Sequence, residues 1–171
     1  MSRRDALVEL LDRHAPADDA EAADLARMRA FARDLAQPLS REQPEAHFTA
    51  SALVVDPARE RTLLVRHRRL GRWLQPGGHV EPEDASLLDA ALREAREETG
   101  LTVEPAAPEP LDVDVHEIPT EPPHLHLDVR FVLVAEGEPA GEEHGEWLDR
   151  DDALARADAG LRRLIEKGLR P

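Results

Sequence analysis

Glu94, Glu97 and Glu98 stand at i, i+3 and i+4 within a run of helical patterning from Ser86 to Thr99. On a helix of 3.6 residues per turn, that spacing projects three carboxylates from one side. Leu88, Leu92, Ala95 and Thr99 fall on the opposite side as an apolar stripe. Like charges so spaced destabilise a helix by about 0.2–0.5 kcal/mol per pair. Solvent, Arg93 and Arg96 offset part of that. A divalent cation offsets it more completely, because hard ions such as Mg²⁺ prefer carboxylate oxygens and retain several waters. A solvated acidic face has the same pattern, so the glutamates alone do not decide the chemistry.

The residues upstream change the balance. Gly77-Gly78 lets the backbone bend tightly and approach a ligand, and a carbonyl there can join a metal shell. Between Arg59 and Arg72 stand six arginines and one histidine against one acid, Glu60. Such a run is ordinarily a solvated hairpin. Leading straight into the glycine pair, it is also a candidate phosphate-facing patch, with Arg66, Arg68 and Arg72 as substrate contacts. Chemistry on a phosphate at such a patch requires charge on its oxygens to be neutralised while a water is aligned and deprotonated, which clustered divalent ions do. Three carboxylates without Cys or Lys point to attack by water rather than by a protein nucleophile.

Gly78, followed by Arg93-Glu94-Ala95-Arg96-Glu97-Glu98-Thr99-Gly100-Leu101, resembles the Nudix box, G-x5-E-x7-R-E-U-x-E-E-x-G-U with U apolar. The terminal REAREETGL fits at every defined position, and Pro76-Gly77-Gly78 is similar to the family's usual lead-in. The resemblance implies a Nudix hydrolase: an α/β/α sandwich around a mixed sheet, here preceded by an N-terminal helical extension. It also implies Mg²⁺, or Mn²⁺ in its place, held by Glu97 and Glu98 with the Gly77 carbonyl. Glu94 would bind a further ion or help activate water, and Arg93 would orient the glutamates. One position departs from the pattern. Asp84 stands where the box has its first glutamate, and eight residues rather than seven separate it from Arg93. The outer metal or water contact from that loop therefore falls to Asp84, Glu81 or Glu83.

A second group is rich in histidine. In His124–Val134, Leu125, Leu127, Val129, Phe131 and Leu133 form one face of a strand, and His124, His126, Asp128 and Arg130 form the other. The bland reading is a polar strand face. A middle reading has it line the substrate cleft, with His126 or Asp128 as a base or substrate contact. The sharpest is a zinc site on His124 and His126 with His79 or His144 as a third ligand. His79, just after the glycine pair, is a candidate phosphate contact. His67 reads as a surface residue. Trp73 and Trp147 can stack a base, but with no tyrosine and three phenylalanines the core needs them.

These residues need a scaffold. Leu7, Leu10, Leu11 and His14 share a helical face behind a Ser2/Asp5 capping box. A second helix runs from about Asp19 to Ala36 and ends before Pro38 and Pro44. From His47 the period becomes two: His47–Val55 and Arg61–Arg66 read as strands joined by an Asp56-Pro57 turn. Ser86 with Asp89 caps the glutamate helix, and Gly100 closes it. A proline-rich loop (Pro105, Pro108, Pro110) leads to a strand over Leu111–Ile118. A short strand ends at Trp147-Leu148, and Asp149 or Asp151 caps the C-terminal helices. Hairpins broken by single helices suggest a mixed sheet with helices on both faces. Residues 1–44 form the extension and residues 45–171 the Nudix domain.

Composition narrows the function. There is no cysteine, which excludes disulfides, thiolate zinc sites, thiol nucleophiles and the cysteine-dependent diphosphate isomerases that share the fold. A net charge of −14 repels nucleic acid and anionic membrane. No stretch approaches a membrane span, and a cytoplasmic protein is the plain reading. The expected partner is a small diphosphate, nucleotide-like, and a homodimer fits the base rate for symmetric assembly. The alternatives are a non-catalytic Nudix-fold ligand sensor, which intact carboxylates disfavour, and a zinc protein built on His124 and His126.

Overall fold

The alternation that begins at His47 becomes a long strand, β1 (Ala46–Val55), whose residues are all buried. In the computed structural model, which describes residues 2–68 and 71–170, β1 lies within a mixed sheet of eight strands. Its principal partner is not the next strand but β7 (His124–Ala135), which runs parallel to it from Ala46↔Leu125 to Val55↔Val134. The expected hairpin partner, β2 (Arg61–His67), pairs with β1 only at Val54↔Leu63 and Val55↔Thr62. The Asp56 carboxylate accepts from the Glu60 and Arg61 amides at 2.9 and 3.0 Å and closes that turn. Beyond it the strands part. The three-residue β4 (Gly77–His79) takes over the same edge of β1, pairing Thr49↔His79 and Ser51↔Gly77.

The rest of the sheet is antiparallel. β2 pairs with β3 (Arg72–Leu74) and β8 (His144–Asp149), while β7 pairs with β5 (Val103–Pro105) and β6 (Asp112–Ile118). The proline-rich segment was expected to be loop throughout. Its start is instead β5, with Pro105 ending the strand, where a missing amide donor is tolerated.

Alternate residues of β1 and β7 serve two cores. Phe48, Ala50, Ala52, Val54, Leu127, Val129, Phe131 and Leu133 face three helices: α1 (Arg3–Arg13), α2 (Asp19–Asp34) and α3 (Leu87–Thr99). Leu53, Val55 and Val132 face α4 (Arg150–Arg156) and α5 (Ala159–Gly168), through Leu161, Leu164 and Ile165. The N-terminal helices are part of the first core, since Leu7, Leu11, Leu25, Met28 and Ala32 are buried in it. The Ser2/Asp5 capping box forms. Of the expected C-terminal caps, Asp149 caps α4, and Asp158 rather than Asp151 caps α5. No helix among the described residues is long and apolar enough to cross a membrane.

One ion-pair group ties the two helical layers together around the edge strand β6. Glu21 of α2 is fully buried and accepts from Lys167 Nζ of α5 at 2.8 and 2.9 Å, and from the Val113 amide of β6 at 3.2 Å. Lys167 also donates to Asp112 at 3.0 Å. Burial disfavours the Glu21 charge, but hydrogen bonds from the Ala17 amide, Lys167 and His14 outweigh it and hold the carboxyl well below the usual glutamate range. A carboxyl whose pKa is lower in the folded state stabilises the protein above its unfolded pKa, and that stabilisation fades as pH falls. Glu21→Gln is therefore expected to cost about 3 kcal/mol at neutral pH, the magnitude for breaking a buried pair. In urea titrations its deficit against the parent protein should shrink as pH drops below the ordinary glutamate value of 4.5.

Candidate active site

Helix α3 carries the glutamates because its other side is needed by the core. Ser86 caps it by accepting the Asp89 amide and donating to the Asp89 carboxylate at 2.7 Å. Gly100 ends it at φ 70, a left-handed conformation that glycine adopts without steric cost. The buried residues are Leu87, Ala90, Ala91, Ala95 and Thr99, with Leu88 and Leu92 only partly covered. The helix is thus rolled from the expected stripe. Glu94 and Glu98 lie at the margin of the buried face, and Glu97 points outward at 49% side-chain exposure.

The glycine pair is what lets a glutamate sit there. A Cβ on Gly78 would lie 2.6 Å from Glu94 Cδ, so a side chain at this position would fill the space the carboxylate occupies. The Gly77 amide donates to Glu98 Oε2 at 3.1 Å. Arg93 organises the remainder. Its guanidinium grips both oxygens of the buried Asp84 at 3.1 and 2.9 Å, and donates to Glu94 Oε1 at 2.9 Å and Glu97 Oε2 at 3.3 Å. It also donates to the His79 carbonyl at 2.9 Å. Asp84 further accepts the Glu81 amide at 2.8 Å, so the inserted loop folds back onto the helix through this arginine.

The last turn of α3 is covered by the segment between β7 and β8. Ala140, Glu142 and Glu143 donate backbone amides to the carbonyls of Thr99, Glu97 and Glu98 at 2.8, 3.0 and 3.2 Å. These satisfy carbonyls that a helix end leaves without partners. They also bring more acid close. Burial first, and then the charges of Glu94, Glu143 and Glu142, push the Glu98 carboxyl up to about 8. Burial also raises Glu94. Asp84 is lowered, because the Arg93 and Glu81 hydrogen bonds overcome its burial.

The arginine-rich run does not converge on this site as one patch. Arg66 is exposed at the end of β2, in register with Trp73 and His144. Arg68 donates to the Glu142 carbonyl and lies 3.6 Å from the Glu143 carboxylate, beside the end of α3. Arg72 pairs with Asp158 at the start of α5, and Arg61 with Asp56 at 3.3 Å. Arg69 lies outside the described residues. Trp73 packs on the second core under Arg156, and Trp147 packs on the first and donates to the Gly137 carbonyl at 2.8 Å.

The polar face of β7 is split. Asp128, expected in a cleft, is buried and accepts from Thr49, Ser51 and Arg130 at 3.0, 2.6 and 3.0 Å. Arg130 also meets Asp112 and Asp114 at 3.4 and 2.9 Å, which makes this stretch an internal ionic network. His126, by contrast, belongs to a group of imidazoles. The His47 ring lies 5.0 Å from His79, 5.0 Å from His124 and 4.9 Å from His126. Burial first, then the neighbouring rings, lower His79 to about 4 and His126 to about 3. His144 stands apart, 3.4 Å from Glu146. His47 was not a candidate in the sequence, because its place beside His126 follows from a parallel pairing that no local pattern encodes.

Comparisons with known proteins bear on the family and the fold. A family model described as NUDIX domain matches residues 45–168. A probable DHNTP pyrophosphohydrolase of Lactococcus lactis subsp. cremoris (strain MG1363) is 34% identical over 102 residues, covering 57% of this chain and 59% of that protein. The m7GpppN-mRNA hydrolase NUDT17 of Danio rerio is 46% identical over 59 residues, covering 32% and 19%. The chain therefore spans less than two thirds of these relatives' lengths. The crystal structure of a NUDIX-family hydrolase from Clostridium perfringens shares the fold at TM-score 0.60 and 23% identity, covering 71% of this chain and 95% of that one.

The two glycines predict different consequences. An added Cβ at Gly77 meets Ser51 Cβ at 2.3 Å and backbone at 2.6 Å, which cannot yield. Gly77→Ala is expected to destabilise the protein by about 1–3 kcal/mol, as overpacking does. Gly78→Ala adds a Cβ whose three nearest atoms all belong to the end of the Glu94 side chain. It should leave the urea midpoint nearly unchanged while displacing that carboxylate, a difference that paired denaturation and diphosphate-hydrolysis assays will read.

Proposed function

The chain belongs to the Nudix family, and from that premise we propose that it hydrolyses a phosphoanhydride bond in a small nucleotide-like diphosphate by attack of water. The observation that carries this reading is the Arg93 hub. One guanidinium engages Asp84, Glu94, Glu97 and the His79 carbonyl, while Glu98 is held on the Gly77 amide. A helix face that served only solubility would not need a buried carboxylate to anchor its arginine, or a glycine at position 78 to make room for Glu94.

The donors fit a hard divalent ion such as Mg²⁺, or Mn²⁺, by their chemistry. They are carboxylate oxygens, and the burial that raises the Glu98 carboxyl, with the charges of Glu94, Glu143 and Glu142 added to it, would be offset by a bound cation. Glu97, Glu98 and the Gly77 carbonyl would hold it, with Glu94 binding a further ion or serving the water. When bound, such an ion neutralises charge on phosphate oxygens and makes a nearby water more acidic. Glu94 Oε1 is fixed by Arg93, which leaves Oε2 as the atom to take the proton from the attacking water. Burial raises its proton affinity, as suits a base. Arg93, tied down by Asp84, keeps Glu94 and Glu97 from rotating away.

The substrate is proposed from the same premises. Relatives named for a DHNTP and an mRNA-cap substrate support a nucleotide-derived anhydride. The net charge of −14 favours a small substrate over a polymer with many phosphates. Among the described arginines of the hairpin, Arg68 meets the segment that covers the end of α3 and is the strongest candidate for a phosphate contact; Arg66 and Arg72 belong to the same hairpin. Asp128 takes a supporting role inside the sheet. The Nudix domain, residues 45–171, carries the reaction, and from the extension, residues 1–44, Leu7, Leu11, Leu25, Met28 and Ala32 bury one side of it.

The test is hydrolysis of a diphosphate panel by the purified chain with Mg²⁺ or Mn²⁺, with product analysis. Glu97→Gln and Glu98→Gln should each lower kcat by about 10²-fold or more while circular dichroism stays unchanged. Undiminished turnover in either variant, or no turnover of any panel member by the parent, would overturn the assignment.

A further inference from the structure

A second set of ligand-capable side chains lies on the other face of β1, β4 and β7 from the glutamates. His47, His79 and His126 each offer a ring nitrogen, and these three atoms lie within 4.8 Å of one another. His124 adjoins them, its Nε2 3.3 Å from His126 Nε2. Two nitrogens bound 2.0–2.1 Å from a tetrahedral zinc stand about 3.4 Å apart. The His124–His126 spacing already matches that.

The outer hydrogen bonds set the tautomers. A neutral imidazole has one donor and one acceptor nitrogen. His47 Nδ1 lies 3.3 Å from the Gln43 carbonyl, which can only accept, so Nδ1 carries the proton and Nε2 a bare lone pair. That Nε2 is buried with no hydrogen-bond partner, on a residue only 3% exposed. In His124, Nδ1 lies 3.2 Å from Thr120 Oγ1, whose hydroxyl donates to the Pro122 carbonyl at 3.0 Å. The threonine oxygen is then the acceptor, and His124 Nε2 is again a lone pair. An Nδ1 proton held by an oxygen while Nε2 faces a shared centre is how metal-ligating histidines are oriented.

We propose that His47, His79, His124 and His126 form a tetrahedral site for one zinc-class transition-metal ion, separate from the glutamate site. Imidazole nitrogens suit Zn²⁺ and its neighbours in the first row, whereas carboxylates and carbonyls suit Mg²⁺, so the two faces select different ions. Four protein ligands close the coordination shell, which makes this a structural ion. It joins three strands. β4 has three residues and, among the described residues, pairs with β1 alone, so an ion on the His79 ring would fix it from one face while Arg93 holds the His79 carbonyl from the other. The metal would thereby secure the strand against which Glu94 and Glu98 rest.

The full-length protein, stripped with chelator and dialysed, is titrated with Co²⁺. One equivalent should produce the intense visible absorption of tetrahedral cobalt, and Zn²⁺ should displace it. His47→Ala and His126→Ala, checked for folding by circular dichroism, should each weaken Co²⁺ binding by about 100-fold. Glu98→Gln should leave it intact, which separates this site from the proposed hydrolytic one. X-ray absorption on the zinc-loaded parent protein gives a reading that does not depend on variants folding, with about 2.0 Å nitrogen scattering and imidazole outer shells expected. Folded parent protein showing no tetrahedral cobalt band, binding unaltered by both histidine variants, binding lost in Glu98→Gln, or a zinc shell without imidazole would each overturn the proposal.

Discussion

The parallel pairing of β1 with β7 is the constraint on which the rest of the structure depends. It aligns ten residue pairs without a break, from Ala46↔Leu125 to Val55↔Val134. Parallel neighbours need a long crossover, and here the intervening chain supplies the glycine strand, the glutamate helix and the edge strand β6. One edge of β1 is thereby committed to β7, so β2 and β4 divide the other between them. The position of Gly77 and Gly78 beneath α3, and hence the setting of Glu94 and Glu98, follows from that division.

The same pairing grades the second face of the sheet from end to end. Val55, Leu53 and Val132 meet apolar residues of α5. Next along the strands, Ser51, Thr49, Asp128 and Arg130 form a hydrogen-bonded ionic layer. At the far end His47, His79, His124 and His126 gather. A strand alternating by two puts like positions of neighbours side by side, so residues separated by about eighty positions become a single surface. Buried charge is tolerable there because cations and carboxylates alternate: Arg130 with Asp112, Asp114 and Asp128, then Arg163 and Lys167 with Asp112.

Each face thus presents a different donor chemistry, and Arg93 and His79 connect them. The His79 backbone accepts from the arginine that orders the glutamates, while its ring joins the imidazoles. The sequence shows both residues but not this relation, since it arises where a three-residue strand passes between two faces.

The sequence alone determined what local chemistry can encode. The spacing of Glu94, Glu97 and Glu98, the Ser86 and Gly100 helix ends, the glycine pair and the period-two strands are properties of a few adjacent residues, and they led to the fold and the family. Tertiary structure decided what depends on long-range register. It rolled α3 so that Leu87 and Ala91 are buried while Leu88 and Leu92 are only partly covered, with Glu94 seated over Gly78 and Glu98 on the Gly77 amide at the margin. It scattered the arginine run among separate partners, since a hairpin's side chains alternate and meet whichever element packs on each side. It drew Asp84 onto Arg93, buried Asp128, and brought His47 to His126 across a parallel ladder. A parallel partner is chosen by the packing of the whole sheet, and nothing within either strand states which it will be.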